Sequence, residues 1–456
     1  MKFAAREADL RSETPAIRAS IHIGSSAISM LIMDCSSSEE APAPLEFLEQ
    51  PLPLARDVFS RGLVERATTE RAVEILVGYI DSLRELGADI DQVSRVVVTN
   101  ILSEASNCEV ISNRLSVATN LPIEILDDGE MTRLVYLKTL RRLHEIEPMK
   151  TRTTLVAHVG PGNTRAILFE KGNIADYDSY RLGTHRIAES IEQSYAEGEA
   201  QLRLIRDNAS GPISRIVHDL RDQTVEEMVL IGYEIQLLSP YLLKSSSTNR
   251  CSVKALRDLC LDAARMPEDQ RATAYRLDYH TAEALLPALQ INLAIAEAFK
   301  LKHLYIPSSD YEQGLLYDLT ASAQLSREFE GEVIRSAKSL VQKYETHLIH
   351  GEQVAFLCRR LFEETQHLHS LNEHDALLLQ VAAIVHEVGG FISPHMHHKH
   401  SEYLIRNSEI FGLSERERTL VALIARYHRM SPPKSCLLYT SPSPRDLSTS
   451  RMPSSA

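Results

Sequence analysis

Two histidines occupy the same place in a segment that the chain carries twice. His22 lies in the run Ile21–Met33 and His158 in the run Ala157–Phe169; each run has an apolar strand, the histidine, an apolar residue, a glycine, a small-residue turn and a second apolar strand. Self-similarity of this kind indicates a duplicated unit. Because a glycine that ends a strand lets a phosphate approach backbone N–H groups, the repeat predicts a phosphate-binding cleft between two related lobes.

The segments around the two runs predict α/β lobes with the same strand order. Apolar residues at three-and-four spacing between positions 72 and 83 indicate a helix, and the β-branched run from Val93 indicates a buried strand. A helix from Ser103 to about Thr119, a strand from Leu121 and a helix in the run 128–143 complete the first lobe. In the second lobe we expect strands at Leu155, Ala166, 174–180, Val229 and His303. We expect helices over 184–191, with Thr184 as N-cap, and over 281–299, and a third helix that begins after the N-cap Ser252.

Strand patterns end near Arg327, and the remaining elements predict an all-α domain. We expect its helices at residues 334–344, 352–364, 374–388, 402–410 and 415–427. The predicted domains are lobe I at 17–145, lobe II at 151–318 and the helical domain at 327–434. Residues 436–456 are rich in Ser and Pro and have no periodicity, so we interpret them as a non-native tail and leave them out of the argument.

The charge balance argues against partners that need a broad positive field. The chain has 49 Lys and Arg against 62 Asp and Glu, a net charge of -13. We therefore predict no nucleic-acid and no membrane partner, and any polyanion must bind a local patch. The six cysteines lack metal-ligand spacing, and the first residues lack the apolar core of a signal peptide. Together these features predict a cytoplasmic protein.

Seven short motifs follow one another along the chain. In order they are IHIGSSAISMLI, VVVTNILSEASN, IEILDDGEMTRLVY, LVAHVGPGNTRAIL, YRLGTHRIAE, EQGLLYDL and HHKHSEYLI. This order resembles the exopolyphosphatase and guanosine pentaphosphate phosphohydrolase (Ppx/GppA) family over residues 17–434. The resemblance implies duplicated actin-like α/β lobes of the ribonuclease H-like, sugar kinase and Hsp70 type, followed by an all-α HD-like domain. It also implies a homodimer that acts on polyphosphate or a guanosine polyphosphate.

Within this resemblance, the chain departs from the family where the family carries acidic or basic groups. His22 and His158 stand in place of Asp, Met131 in place of the Glu proposed as catalytic base, Arg165 in place of a Glu and Ser103 in place of an Arg. The retained motif residues include Thr99, Asn107, Glu130 and Arg133. The resemblance therefore implies a site of the family's shape that lacks most of its carboxylates.

These substitutions predict phosphate binding without efficient hydrolysis. The thioether of Met131 cannot accept a proton, and imidazole is a poorer Mg²⁺ ligand than carboxylate. Backbone N–H groups in glycine turns need no carboxylate to bind phosphate. The predicted phosphate-binding residues are Gly24, Ser25, Ser26, Thr99, Asn107, Arg133, Gly160, Gly162, Asn163 and Thr164. A cleft that binds no anion stays an alternative, because Pro161 lacks an N–H donor.

We favour an exopolyphosphatase-like protein that is catalytically impaired and acts as a phosphate-ligand-binding or regulatory scaffold. The alternative is an active phosphatase that releases phosphate from polyphosphate or guanosine pentaphosphate, with Glu130 as its catalytic group. No cofactor is assigned to the first reading, whereas the active alternative would use Mg²⁺, with Zn²⁺ or Mn²⁺ as lesser choices. His22, His158 and Glu130 would be the ligands of a zinc ion in the cleft.

The helical domain concentrates histidines at positions that resemble a metal site. In HD phosphohydrolases an isolated His, a His-Asp pair and a later Asp converge on metal ions. By this likeness the metal ligands are His350, His386, Glu387, His397 and His400, with Glu387 in place of the Asp. The structural alternative is a dimerisation or channel domain in which these histidines line helix packing.

Overall fold

The computed structural model describes residues 17–35, 43–126, 129, 131, 132, 134, 151–192, 194, 196–243, 249–307, 316 and 327–429. Contacts divide the chain into two compact units, residues 1–332 and 333–456, and each is described by itself. Glu130, Arg133, the EQGLLYDL motif apart from Leu316, and the tail 436–456 lie outside the described residues. None of the described helices has the length and apolar character needed to cross a membrane.

The first unit contains two mixed sheets built on one plan. The strands are β1 Ile17–Ile23, β2 Ala27–Asp34, β3 Ala43–Pro51, β4 Val93–Val98, β5 Ile123–Ile125, β6 Thr154–Val159, β7 Thr164–Glu170, β8 Asn173–Tyr180, β9 Glu227–Ile231, β10 Arg250–Ser252 and β11 His303–Tyr305. One sheet has the order β3-β2-β1-β4-β5 and the other β10-β11-β9-β6-β7-β8. β1 and β6 each pair with an antiparallel neighbour on one side and a parallel one on the other. The predicted duplication of strand order is confirmed.

Helices cover both sheets because each buries an apolar stripe against them. Those of the first unit are α1 Leu54–Arg61, α2 Arg66–Glu85, α3 Cys108–Thr119, α4 Thr184–Glu192, α5 Gly198–Asp219, α6 Tyr233–Leu237, α7 Ser239–Leu243, α8 Val253–Ala264, α9 Glu268–Tyr275 and α10 Tyr279–Ala298. Leu76 of α2 packs in one core with Ile21 of β1, and Leu289 of α10 in another with Leu155 of β6. Burial of such side chains contributes roughly 1.5–3 kcal/mol each, so the cores hold β1 and β6 in place.

The second unit is helical in its described part. Its helices are α11 Arg327–Lys343, whose first turn belongs to the first unit, then α12 Leu348–Glu364, α13 Gln366–His369, α14 Glu373–Val385, α15 His397–Arg406 and α16 Glu415–Tyr427. Asn372 and Ser414 begin α14 and α16 with capping boxes, in which the side chain of the third helical residue returns a hydrogen bond.

Several predicted helices have other bounds in the structure. Those expected at 334–344 and 352–364 begin earlier, at Arg327 and Leu348. The helix expected from Ser103 begins at Cys108, because the Thr99 side chain accepts a hydrogen bond from the Ile101 N–H and starts a short 3₁₀ turn instead. The helix expected at 402–410 spans His397–Arg406. It ends before Ile410 and Phe411, which are buried with 1% exposure each. Sequence patterns locate helices well, but tertiary burial decides where they end.

One long helix was missed by the sequence analysis. Helix α5 contains Gly211 and Pro212, which weaken a helical pattern. Its apolar residues nevertheless fall at three-and-four spacing, and the buried ones are Leu202, Ile205, Ala209, Ile213 and Ile216. Packing of this stripe overrides the local propensity.

Candidate functional site

The two glycine turns of the repeat meet in one cleft of the first unit. In the β1–β2 turn the Gly24 N–H donates to the Ala27 carbonyl at 2.8 Å, and in the β6–β7 turn the Gly160 N–H donates to the Asn163 carbonyl at 3.0 Å. Both turns line a cavity of about 200 Å³. The turns are thus alike in hydrogen bonding as well as in sequence, and they face the same space.

Each turn leaves backbone donors available to a ligand. In the part of the chain that the structure describes, the N–H groups of Ser25, Ser26, Gly162 and Asn163 donate no hydrogen bond. The buried side-chain oxygen of Asn163 likewise has no hydrogen-bond partner among these residues. Successive free N–H groups in a turn form a concave site for an anion.

His22 and His158 take equivalent positions beneath the two turns. Each is 4% exposed and lines the cleft. A Cβ built on Gly24 would lie 3.3 Å from Cε1 of His22, and one built on Gly160 would lie 3.3 Å from Cε1 of His158. The imidazoles therefore pack directly against the two glycines. A side chain at either glycine would come into close contact with the neighbouring imidazole.

A hydrogen bond joins the two lobes across the cleft. Ser26 Oγ and His185 Nε2, on the first turn of α4, lie 3.0 Å apart. Burial lowers the pKa of His185 to about 4, which outweighs the opposing effect of Glu283. His185 is therefore neutral at pH 7. In its hydrogen bond with Ser26, the imidazole Nε2 donates or accepts according to the tautomer.

Arg186 ties the second glycine turn to the first lobe. Its Nε donates to the Gly162 carbonyl at 3.0 Å, its Nη2 donates to Glu104 at 2.6 Å, and its guanidinium lies 4.6 Å from the Phe59 ring centroid. The turn also requires Gly183, because a Cβ there would lie 2.2 Å from the Pro161 carbonyl oxygen. The turn is thus held from both sides.

Three carboxylates that the sequence analysis did not identify also line the cleft. Glu49 of β3 accepts a hydrogen bond from Ser29 Oγ at 3.3 Å, and Asp278, the N-cap of α10, accepts one from the Thr281 N–H at 3.1 Å. Glu234 is the third. The expectation that the cleft has lost nearly every acidic group holds for the motif positions but is wrong for the cleft as a whole. The sequence could have identified Asp278 only as an Asp that precedes a helical pattern, which is typical of an N-cap.

Glu234 is a carboxylate of the cleft whose protonation is changed by the fold. It is 4% exposed and accepts a hydrogen bond from Thr184 Oγ1 at 2.9 Å. Burial raises the pKa of Glu234 to about 7, against the lowering effect of its hydrogen bonds. Thr184 was predicted to be the N-cap of α4. In the structure it is the first residue of that helix, and its hydroxyl donates to Glu234.

The raised pKa predicts a pH-dependent effect of Glu234→Gln. A carboxyl with a pKa raised from 4.5 binds protons more readily in the folded state, so its destabilising contribution grows as pH rises from 4.5 to 7 and is complete above 7. We expect Glu234→Gln to increase the free energy of unfolding by about 3 kcal/mol at pH 8 and by much less at pH 4.5.

Urea denaturation at the two pH values measures this difference. Glu199→Gln, at a side chain 80% exposed, is the matched control and should give the same small change at both. A gain from Glu234→Gln that does not vary with pH would contradict the assignment of a raised pKa.

The structure brings most of the predicted cleft residues together and excludes three. Those that line the cleft are Gly24, Ser25, Ser26, Thr99, Gly160, Gly162 and Asn163, together with His22, Met131, His158 and Arg165. Asn107 does not, because its amide forms two hydrogen bonds with the Val64 backbone. Thr164 donates its hydroxyl to the Leu182 carbonyl and Ser103 to the Asn100 carbonyl. The motif letters did not reveal that these side chains serve the backbone.

The predicted metal ligands of the helical unit come together only in part. Ligand atoms of His350, His386 and Glu387 lie within 4.8 Å of one another. His397 and His400 lie on α15, outside that group of three. Sequence reasoning missed His428, whose ring centroid lies 4.8 Å from that of His386.

Two lobes on a shared strand order, with a cleft at the paired turns, define an actin-like α/β protein. The model of the Ppx/GppA phosphatase family matches residues 37–323, and the model of Ppx/GppA phosphatase domain III matches residues 334–443. The chain belongs to the Ppx/GppA phosphatase family.

Similar proteins agree with this membership. Guanosine-5'-triphosphate,3'-diphosphate pyrophosphatases of Aeromonas hydrophila and Vibrio parahaemolyticus are each 21% identical, covering 89% and 90% of this chain and 79% and 80% of theirs. An exopolyphosphatase structure from Cytophaga hutchinsonii is 15% identical with a TM-score of 0.57, covering 68% of this chain and 99% of its own. The Aquifex aeolicus family member is 17% identical with a TM-score of 0.51, covering 66% and 96%. The two structures support the fold.

Proposed function

We propose that the cleft binds the phosphate groups of polyphosphate or a guanosine polyphosphate and hydrolyses them poorly, so that the protein acts as a phosphate-ligand-binding scaffold. The observation that carries this proposal is the pair of matched glycine turns, whose unused N–H groups line one cleft. The named activities of the relatives, on guanosine and inorganic polyphosphates, support this choice of ligand.

Charge in the cleft supports anion binding. The Arg165 side chain is 3% exposed and lines the cavity, and a buried guanidinium is a strong donor to phosphate oxygens. Glu234, with its pKa of about 7, is only partly ionised at neutral pH. His185, which is hydrogen-bonded to Ser26 of the first turn, is neutral and adds no charge there.

The residues at the turns fit Mg²⁺ poorly. Magnesium prefers carboxylate and water oxygens, whereas the ends of β1 and β6 present the imidazoles of His22 and His158. The acidic neighbours are engaged elsewhere, since Asp278 caps α10 and Glu234 accepts from Thr184. No step of a metal-assisted hydrolysis is therefore assigned to these residues.

Met131 supports low turnover. It is 7% exposed, and besides touching the cleft it packs in an apolar cluster with Leu31, Met33 and Val97. A thioether there can neither orient water nor accept its proton. Loss of a positioned general base typically costs about 10²–10⁴-fold in rate.

The carboxylates in the cleft favour a second candidate function, an active phosphatase with a rearranged site. Glu49, Glu234 and Asp278 could supply the base that the motif positions lack. Orthophosphate release from polyphosphate with Mg²⁺, Mn²⁺ or Zn²⁺ separates the two functions. Turnover that is abolished by Glu130→Ala or Asp278→Asn would favour the second.

Arg165→Met tests the binding proposal directly. Removing a charged hydrogen bond of about 1.5–3 kcal/mol should weaken polyphosphate or guanosine pentaphosphate binding by about 10- to 100-fold in calorimetry. Arg203→Met, at a side chain 73% exposed, should leave affinity unchanged. Equal effects of the two variants, or no heat from the wild type with either ligand, would refute the proposal.

A further inference from the structure

Four histidines and a glutamate gather at one end of the helical unit. His350 lies on α12, His386 and Glu387 directly follow α14, His397 begins α15, and His428 directly follows α16. The Nε2 atoms of His350 and His386 each lie 4.0 Å from Glu387 Oε1. The Nε2 atoms of His397 and His428 lie 3.3 Å apart. Side chains from four helices thus converge, within residues 333–429 alone.

The tautomers of three of these histidines follow from their backbone contacts. Nδ1 of His386 lies 2.7 Å from the Ala383 carbonyl, Nδ1 of His428 lies 2.6 Å from the Ala425 carbonyl, and Nδ1 of His397 lies 3.3 Å from the Pro394 carbonyl. A carbonyl oxygen only accepts, so each neutral ring carries its proton on Nδ1. Each Nε2 then has a bare lone pair, and this is the arrangement that metal-binding histidines adopt.

Lone pairs placed face to face favour a positive charge between or beside them, which a bound proton or a metal ion supplies. With both protons on the Nδ1 atoms, the Nε2 atoms of His397 and His428 repel each other at 3.3 Å. The Glu387 carboxylate adds a third acceptor on the His386 side, and His428 adjoins His386 with ring centroids 4.8 Å apart. The nearby Arg426 guanidinium is paired with Glu402. The cluster is therefore rich in acceptors, and a metal ion would satisfy them.

The backbone around the cluster is already held in place. Ser401, fully buried, donates its hydroxyl to the His386 carbonyl at 2.7 Å and accepts from the Gly389 N–H at 2.9 Å. This contact fastens the His386–Gly389 turn to α15. Meanwhile the side chains of His350 and Glu387 are 54% and 34% exposed, so they can move. A zinc ion at about 2.1 Å from its ligands needs donor separations near 3.4 Å. The two 4.0 Å separations to Glu387 must therefore contract by roughly half an ångström, within a group of three whose ligand atoms all lie within 4.8 Å of one another.

We propose that the helical unit binds one divalent transition-metal ion, with Zn²⁺ as the best-suited ion, through His350, His386, Glu387 and His428. His397 lies beside His428, with their Nε2 atoms 3.3 Å apart. Three nitrogens and one carboxylate oxygen favour Zn²⁺, Co²⁺ or Ni²⁺ over Mg²⁺. The partial exposure of His350 and Glu387 leaves room for water at the ion. This site does not depend on the function proposed for the cleft, and its ligands include His428 in place of the His397 and His400 of the sequence analysis.

Calorimetric titration of the full-length chain, without a histidine tag and after dialysis against EDTA, tests the site. We expect one Zn²⁺ per chain, visible d–d absorption on substitution by Co²⁺, and no comparable heat from Mg²⁺. His386→Ala and His428→Ala should each weaken Zn²⁺ binding by at least about tenfold. His367→Ala, at an exposed histidine of α13, should bind as the wild type does.

His350→Ala should not disturb folding, because His350 is largely exposed. Far-UV circular dichroism of every variant shows whether a loss of Zn²⁺ binding comes from a loss of folded structure. A wild type that binds no Zn²⁺, or His350→Ala and His386→Ala variants that bind it as tightly as His367→Ala does, would overturn the proposal. Polyphosphate binding by the cleft is read in separate titrations, so a failure of either proposal leaves the other testable.

Discussion

The triple variant His22→Asp, Met131→Glu, His158→Asp should release orthophosphate from polyphosphate with Mg²⁺ on the order of 10²-fold faster than the wild type. The three changes place carboxylates where the resemblance puts those of the family. His22 and His158 lie beneath the glycine turns and Met131 lines the same cleft, so the new groups would face one space. Two of them would supply oxygen ligands for Mg²⁺, and the third would supply a base.

The neutral variant His22→Asn, Met131→Gln, His158→Asn is the matched control, because it has nearly the same shape without the charge. Initial rates of phosphate release, with circular dichroism to check folding, compare the three proteins. The account of an impaired centre fails if the neutral variant gains as much activity as the charged one. It fails equally if the wild type already turns over at the rate of the charged variant.

The substitution Gly389→Ala should lower the free energy of unfolding of the helical unit by about 3 kcal/mol. A Cβ at this position would lie 2.2 Å from the His397 carbonyl oxygen and 2.3 Å from the Ser401 backbone nitrogen. Both neighbours are backbone atoms of α15, so they cannot move aside as a side chain would. The helix must shift, and the hydrogen bond from the Gly389 N–H to Ser401 would be lost with it.

The neighbouring residue provides the control. A Cβ built on Gly390 meets no heavy atom within 4 Å, so Gly390→Ala should change stability by less than about 1 kcal/mol and can even increase it. Chemical denaturation of the two variants, side by side, measures the difference. Equal stability would show that α15 does not approach the turn as closely as described.

The two sites differ in how their histidines are used. In the cleft, His22 and His158 lie next to the glycine turns, whose residues line the same cavity. In the helical unit, His386 and His428 each donate a hydrogen bond from Nδ1 to a backbone carbonyl, which leaves Nε2 facing the neighbouring side chains. The first use suits anion binding by the backbone, and the second suits a metal.

Motif reasoning found the turns of the cleft but not all the residues that face it. The turns were predictable because a strand, a glycine and small residues form a local pattern that repeats at His22 and His158. Asn107 and Thr164 were assigned to phosphate by their motifs, whereas they bind the backbone at Val64 and Leu182. A motif records which residue is present, and the direction of its side chain depends on what packs around it.

The sequence by itself determined the duplicated strand order, the change to helices after Arg327 and the histidines at the two turns. These features depend on apolar periodicity and on short turn patterns, which act between neighbouring residues. Only the tertiary structure decided that Glu49, Glu234 and Asp278 share the cleft, since they come from a strand and two helices far apart in the chain. The same holds for His428 beside His386. Such contacts depend on sheet register and helix packing, which bury residues together without leaving a local pattern in the sequence.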